Sequence, residues 1–138
     1  MFEEAWLSWS TGNSGIGAVL LVPEGVDAGI VAVGRNLVAT PPPAEQALAG
    51  NYMAHAEMNA FASLSSYSAK GMHLYSRLEP CLMCGATAIL LNVESIHFAA
   101  RDEYYQPFDE GLWPHHPYIR DRHKHYQGTC QPSLVFSP

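Results

Sequence analysis

Two cysteines and a histidine in this sequence have the residue types and spacing of a metal-binding centre. Cys81 and Cys84 are three positions apart and directly follow Pro80, while His55 lies upstream in a His-Ala-Glu segment that ends at Glu57. Side chains three positions apart share one face of a helix, and proline is favoured at the first helical position. The positive end of the helix dipole also favours thiolate over thiol. The cysteine pair is therefore half of a candidate metal site.

The number of ligands separates the kinds of site that a Cys-x-x-Cys pair can form. On its own the pair also fits a redox pair or a structural zinc site. A redox pair needs no His-x-Glu partner, and a closed structural zinc site needs four protein ligands. His55, Cys81 and Cys84 supply three ligands, which leaves one position for water, as in catalytic zinc sites. We therefore predict that these residues hold Zn²⁺, with Glu57 beside it.

The composition indicates one domain with little affinity for polyanions. A chain of 138 residues is long enough for one core, and we predict a single domain over residues 1–138 that is irregular after about residue 111. The formal net charge of −6 disfavours nucleic acid as the main partner, because Lys and Arg supply most non-specific affinity for phosphates. We expect no membrane association. An acidic N-terminus and few cysteines predict a reducing, cytoplasmic location.

The N-terminal third of the sequence predicts a helix followed by a hairpin. Apolar residues recur at helical spacing over residues 2–9, and we expect Trp6 and Trp9 to pack in the core. Two apolar runs bounded by turn residues, 16–22 and 30–34, predict antiparallel strands.

The middle part of the sequence, residues 54–100, predicts the elements that position the candidate ligands. A helix predicted over 54–65 has the His-Ala-Glu segment in its first turn. Strands predicted over 72–76 and 95–100 flank a helix over 81–91, which is nearly all apolar and therefore expected to be buried. A strand, a helix and a strand in so short a stretch form a parallel crossover. We expect both helices to lie on one face of the sheet and to begin at the zinc.

Two motifs of this chain resemble those of a known enzyme family. His55-Ala56-Glu57 together with Pro80-Cys81-Leu82-Met83-Cys84 is similar to the His-x-Glu and Pro-Cys-x-x-Cys motifs of zinc-dependent nucleobase and nucleoside deaminases. The longer run from Leu74 to Asp102 resembles the branch that contains tRNA adenosine deaminase, guanine deaminase and fungal-type cytosine deaminase. The resemblance covers roughly residues 15–110.

This resemblance implies a fold, a cofactor and an assembly. The fold would be an α/β, three-layer α-β-α, cytidine deaminase-like arrangement, with a mixed five-stranded sheet and Zn²⁺ between two helix N-termini. Four strands are visible in the sequence pattern, so the fifth would come from the tail. Glu57 would be the catalytic proton carrier between water, a ring nitrogen and the departing amine. The resemblance also implies a homodimer.

The resemblance further assigns residues to the substrate. Asn36, in a Gly-x-Asn segment, would hold the base or sugar with its side-chain amide, although a turn residue after a strand is the alternative. The backbone N–H of Ala56 would donate to a substrate carbonyl. Phe108-Asp109-Glu110-Gly111 resembles a guanine deaminase segment whose carboxylate meets the base. Glu110 would be the catalytic member and Asp109 a binding residue, since carboxylates accept the N–H groups of guanine; a solvated acidic loop is the alternative.

Three functions stay open from the sequence. The first is an enzyme that deaminates a free nucleobase or nucleoside, with a guanine-type purine favoured and a cytosine or cytidine type as the alternative. The second is a tRNA adenosine deaminase, which the acidic composition disfavours because such an enzyme needs a basic groove. The third is a non-catalytic zinc-binding module. Glu57 counts against this third function, because a structural site needs no general base.

Overall fold

A four-stranded mixed sheet is the centre of the computed structural model, which describes residues 1–25, 27–42 and 44–104. Its strand order is β2-β1-β3-β4; β1 is antiparallel to both neighbours, and β3 and β4 are parallel. The predicted hairpin and the parallel strand-helix-strand unit are thus confirmed. The fifth strand, predicted from the tail, lies outside the described residues. The elements are α1 (Phe2–Ser10), β1 (Gly17–Val22), β2 (Gly29–Arg35), α2 (Ala56–Ala62), β3 (His73–Leu78), α3 (Leu82–Leu90) and β4 (Ser95–Ala100).

Two glycines in the hairpin show that helices cover both faces of the sheet. A Cβ atom on Gly17 would clash with the backbone at Ala5 of α1, and one on Gly34 would clash with the backbone at Ala56 of α2. Gly34 pairs with Ala18, the residue after Gly17. Since successive strand residues face opposite sides, α1 and α2 lie on opposite faces. The chain therefore has three layers, α-β-α.

The main core lies between the sheet and the two helices that begin at the candidate metal centre. α3 joins α2 on this face, because Ala88 and Ile89 belong to the same buried cluster as Ala56 and Ala60. The two site helices therefore share one face of the sheet, as predicted. The strands contribute alternate large side chains that are almost fully buried: Leu20, Leu74, Ile96 and Phe98.

The expectation that Trp6 and Trp9 pack in the core is wrong. Their exposed fractions are 69% and 65%. α1 instead contacts the sheet through Ala5 and Ser8, which are buried. Because Gly17 has no side chain, the helix backbone approaches the strand closely, and the small residues rather than the tryptophans fill the narrow gap.

The two site helices differ from the sequence-based expectation in length and in burial. α2 ends at Ala62 rather than near residue 65. α3 is not buried throughout, since Leu82 is 48% exposed and Leu90 is 61% exposed. A helix packed on one face of a sheet buries a single stripe of residues, so an apolar sequence does not bury its whole circumference. No helix in the described part of the chain is both long and apolar enough to cross a membrane.

Replacing Gly34 with alanine should destabilise the protein by about 3 kcal/mol, the upper part of the range for overpacking a core. The new methyl group would clash with the backbone of α2 at both Ala56 and Ala60, and backbone cannot move aside as a flexible side chain can. Urea unfolding measures the change. Val33→Ala, at the neighbouring position whose side chain is 37% exposed, is the control and should cost much less. Equal stability of the two variants would contradict the close packing of α2 on β2.

Candidate metal centre and active site

Both site helices begin at the same place, and their first residues bring the three predicted ligands together. His55 is the residue that precedes α2 and Cys81 the residue that precedes α3, and both have an extended backbone. Cys84 lies in the first turn of α3. The ligand atoms of these three residues lie within 4.8 Å of one another, the single cluster of this kind in the described part of the chain.

The distances between these atoms fit zinc. His55 Nδ1 lies 3.5 Å from Cys81 Sγ and 3.6 Å from Cys84 Sγ, and the two sulfur atoms are 3.6 Å apart. Tetrahedral bonds of about 2.3 Å to sulfur and about 2.0 Å to nitrogen would separate sulfur from nitrogen by about 3.5 Å and the two sulfur atoms by about 3.8 Å. A disulfide needs its sulfur atoms about 2.05 Å apart. The residues therefore fit a zinc ion with three protein ligands, and the two sulfur atoms are not joined in a disulfide.

The contacts among these three side chains also shift the pKa of each of them. The hydrogen bond from Cys84, supported by His55, lowers the pKa of Cys81 to about 4 despite its burial. Donation to Cys81, together with burial, raises the pKa of the Cys84 thiol. The hydrogen bond with Cys81 also raises the pKa of His55. The thiolate form is thus favoured at Cys81, and metal binding must displace the proton of the Cys84 thiol.

Glu57 lies beside the three ligands and is almost completely buried, with 3% of its surface exposed. The hydroxyl of Ser76 donates a hydrogen bond of 2.5 Å to its Oε1 atom. Burial raises the pKa of the Glu57 carboxyl, and the hydrogen bond from Ser76 partly opposes this effect. A buried carboxyl whose pKa is raised above its ordinary value holds a proton more readily than an exposed one, which suits a group that accepts and releases protons.

A cavity of about 190 Å³ opens onto Glu57 and two of the candidate ligands, His55 and Cys81. Among the described residues that line it there are three acidic side chains and no lysine or arginine. The cavity can thus accommodate a small molecule that presents N–H groups. The lining residues are Ser14, Ile16, Asn36, His55, Ala56, Glu57, Leu78, Glu79, Cys81 and Asp102.

The four substrate and catalytic assignments beyond Glu57 divide into two groups. Asn36 and Ala56 both line the cavity. Asn36 Oδ1 accepts a hydrogen bond from the amide of Val38 at 3.3 Å, as in a turn, while its Nδ2 atom has no hydrogen-bond partner in the described part of the chain. Asp109 and Glu110 lie outside the described residues.

Sequence reasoning missed Ser76 and two acidic residues of the cavity. Ser76 alternates with Leu74 and Leu78 along β3, and a polar residue at a core-facing position is a signal that its hydroxyl has a specific partner. Glu79 and Asp102 lie within the run that resembles the deaminase branch, but the sequence assigns them no role in the site. Their closeness depends on β3 and β4 ending together, where the amide of Asp102 donates to Glu79 Oε2 at 3.2 Å.

Comparison with known families gives a match over most of the chain. Residues 1–100 match the sequence model described as "Cytidine and deoxycytidylate deaminase zinc-binding region". The chain is also 36% identical over 104 residues to the tRNA-specific adenosine deaminase of Bacillus subtilis (strain 168), a match that covers 72% of this chain and 57% of that protein. The chain thus spans little more than half the length of that relative.

Solved structures with the same fold have several activities. A tRNA:A34 deaminase, studied for A-to-I editing at the wobble position of transfer RNA, has a TM-score of 0.64 and 25% identity over 80% of this chain and 79% of its own. Guanine deaminase from Nitrosomonas europaea has a TM-score of 0.63 and 21% identity over 94% and 69%. The dCMP deaminase of cyanophage S-TIM5 has a TM-score of 0.52 and 24% identity over 74% and 81%. At such identities the last two show the shared fold alone.

Proposed function

This chain belongs to the cytidine and deoxycytidylate deaminase zinc-binding family, whose members are zinc-dependent hydrolases acting on C–N bonds, and we propose that it deaminates a free nucleobase or nucleoside. A guanine-type purine is the favoured substrate. The observation that carries this proposal is the small acidic cavity at the metal centre, lined by Glu57, Glu79 and Asp102.

The proposed chemistry is the hydrolysis of one C–N bond. His55, Cys81 and Cys84 would hold Zn²⁺, which when bound would make water acidic enough to react near neutral pH. Glu57 takes the proton of that water and delivers it to a ring nitrogen of the substrate. A C–O bond forms at the amine-bearing carbon and the C–N bond then breaks. Glu57 takes the remaining proton of the new hydroxyl group and passes it to the departing nitrogen, which leaves as ammonia while the carbon becomes a carbonyl.

Two groups in the cavity support binding of a base. The Nδ2 atom of Asn36 can donate a hydrogen bond, since only Oδ1 is engaged by Val38. Ala56 is the first residue of α2, and the first amides of a helix have no acceptor within that helix. Both are therefore suited to donate to a carbonyl oxygen. We retain Glu110 and Asp109 as proposed catalytic and binding residues, because a carboxylate can accept the N–H groups of guanine.

The charge of the described surface favours a small substrate over a polynucleotide. The formal net charge of the chain is −6. Arg35, the last residue of β2, is already paired with Glu4 and Glu45. A protein that binds tRNA needs a basic surface, because phosphate contacts supply much of the affinity. Among the described residues, the lining of the cavity includes no lysine or arginine.

Deamination of adenosine in tRNA is the second candidate. It is favoured by the 36% identity to a tRNA-specific adenosine deaminase, which exceeds the identity to the guanine deaminase structure. The free-base proposal takes precedence because it follows from the lining of this chain's own cavity.

A substrate panel distinguishes these candidates. Zinc-loaded protein should release ammonia from guanine faster than from guanosine, cytosine, cytidine, dCMP, adenine or adenosine, and should leave tRNA unchanged. Ammonia release measures turnover of the small molecules, and inosine content measures the tRNA reaction. Glu57→Gln protein, purified in the same way, controls for contaminating deaminases. Turnover of tRNA alone would favour the second candidate, and a zinc-loaded protein inactive on all substrates would contradict both.

We also propose that the protein works as a homodimer in the cytoplasm. Three apolar side chains that are close in sequence to the metal ligands are exposed: Tyr52 at 85%, Met53 at 45% and Leu82 at 48%. A second subunit would remove this surface from water. A reducing compartment suits the site because Cys81 and Cys84 must stay free of oxidation to bind metal.

A further inference from the structure

The hydroxyl of Ser76 is a polar group in an otherwise apolar part of the core. Ser76 lies in β3 with none of its surface exposed, and it pairs with Ala18 of β1 and Phe98 of β4. Both of these partners are buried and apolar. Burying a hydroxyl costs free energy unless it forms a hydrogen bond, and an alanine would fit the same space without this cost. The hydroxyl is therefore explained by its partner, the Glu57 carboxyl 2.5 Å away.

This hydrogen bond makes the two carboxyl oxygens of Glu57 inequivalent. Oε1 receives the Ser76 hydroxyl, and turning the carboxyl group would break that bond. The Oε2 atom, which does not receive the Ser76 hydroxyl, is the atom that we assign to proton exchange. The backbone of Glu57 is fixed in the first turn of α2, so the side chain is held at both ends, by a helix and by a strand.

The strand that holds the carboxyl also leads to the metal ligands. Ser76 precedes Cys81 by five positions, and β3 ends at Leu78 immediately before the Glu-Pro-Cys segment. The hydrogen bond therefore fixes the carboxyl relative to the element that delivers the cysteines. Displacement of a catalytic group by about 1 Å can lower a rate about 100-fold. Holding the Glu57 carboxyl in a fixed position relative to the cysteines should therefore raise the rate of proton transfer.

We propose that Ser76 is a positioning residue that orients the Glu57 carboxyl for proton transfer. This inference rests on the catalytic role proposed for Glu57. Ser76 does not touch the substrate in this proposal, and it acts only through Glu57. Its loss should therefore lower kcat and leave KM nearly unchanged.

Threonine and valine at position 76 form a matched pair that tests the hydroxyl. The two side chains have nearly the same shape and add the same bulk to the core, but only threonine keeps the hydroxyl. With guanine as substrate, or with the substrate that the panel identifies, Ser76→Val should lower kcat about 10- to 100-fold, part of the rate that a general base contributes. Ser76→Thr should stay within about threefold of the wild-type kcat. Ser76→Ala, which adds no bulk, should resemble the valine variant.

An infrared difference spectrum gives a readout that does not depend on turnover. The carboxyl band of Glu57 can be identified by its loss in Glu57→Gln protein. Removing a strong hydrogen bond should shift this band to higher frequency in Ser76→Val and Ser76→Ala, whereas Ser76→Thr should leave it near the wild-type position. Zinc content should be equal in all variants, because Ser76 is not a ligand.

The outcomes separate this inference from the proposed function. If Glu57→Gln is inactive but Ser76→Val and Ser76→Thr have the same kcat and the same carboxyl band, Ser76 does not position Glu57. If Glu57→Gln itself retains full turnover, the role of Glu57 is wrong and the inference falls with it. A rise in KM with unchanged kcat in the valine variant would also overturn the proposal.

Discussion

Replacing Glu57 with glutamine should lower kcat by about 1,000-fold, within the range that general acid–base catalysis contributes, while zinc stays bound. Glutamine has the shape of glutamate and can still contact the Ser76 hydroxyl, but it cannot take a proton from water. The three metal ligands are unchanged, so metal content should remain near one zinc per chain. Ammonia release and elemental analysis on the same sample measure the two quantities.

Glu79→Gln is the matched control for this variant. Glu79 lines the same cavity and is as deeply buried as Glu57, with 2% of its surface exposed. If neutralising any buried carboxyl in the cavity impaired the enzyme, both variants would lose the same rate. We expect Glu79→Gln to raise KM and to leave kcat nearly unchanged, because in the proposed function the Glu79 carboxyl lines the substrate cavity and carries no proton. Full turnover in Glu57→Gln would refute the proposed mechanism.

The parts of the structure that the sequence predicted are those that local chemistry determines. The extents of β1, β2 and β4 followed from apolar runs bounded by turn residues. The start of α3 was predicted within one residue, although Pro80 lies two residues before the helix and not at its first position. The three ligands were predicted because their residue types and number restrict the possible sites. In each case the signal lay within a few neighbouring residues or in a motif of known chemistry.

The parts that the sequence did not predict depend on which surfaces meet in three dimensions. The apolar spacing of α1 was correct, yet it could not show that Gly17 brings the helix backbone onto the strand and leaves Trp6 and Trp9 outside. The hydrogen bond between Ser76 and Glu57 joins residues 19 positions apart in sequence. Neither residue alone indicates its partner, although the alternation of β3 does mark Ser76 as facing the core.

The position of α2 links these observations to the chemistry. Gly34 allows the backbone of α2 to lie against β2, and Asn59 fixes it there by donating from Nδ2 to the carbonyl of Arg35 at 3.0 Å. Its first turn then presents Glu57 to Ser76 on β3. The proposed proton carrier is therefore positioned by contacts with both β2 and β3, and its location depends on the packing of the whole layer rather than on the helix alone.

Replacing Cys84 with alanine should abolish zinc binding and lower the free energy of unfolding by at least about 3 kcal/mol. This is the stabilisation lost when a ligand present at more than 100 times its Kd no longer binds the native state. The effect should be large because the site joins the beginnings of α2 and α3, so the metal holds two helices together. Elemental analysis and urea unfolding measure the two changes, and turnover should be lost with the metal.

A chelator and a second variant on the same helix distinguish loss of the metal from loss of packing. Chelation should destabilise the wild-type protein by a similar amount and should have no effect on Cys84→Ala, which has no zinc to lose. Thr87→Ala, also in α3, removes only a hydrogen bond to the carbonyl of Met83 and should keep both zinc and its sensitivity to the chelator. Retention of one zinc per chain in Cys84→Ala would show that the ion is held by other residues. In Cys84→Ala only His55 and Cys81 remain, and two coordination positions lack a protein ligand. The three-ligand site therefore predicts that this variant binds no zinc.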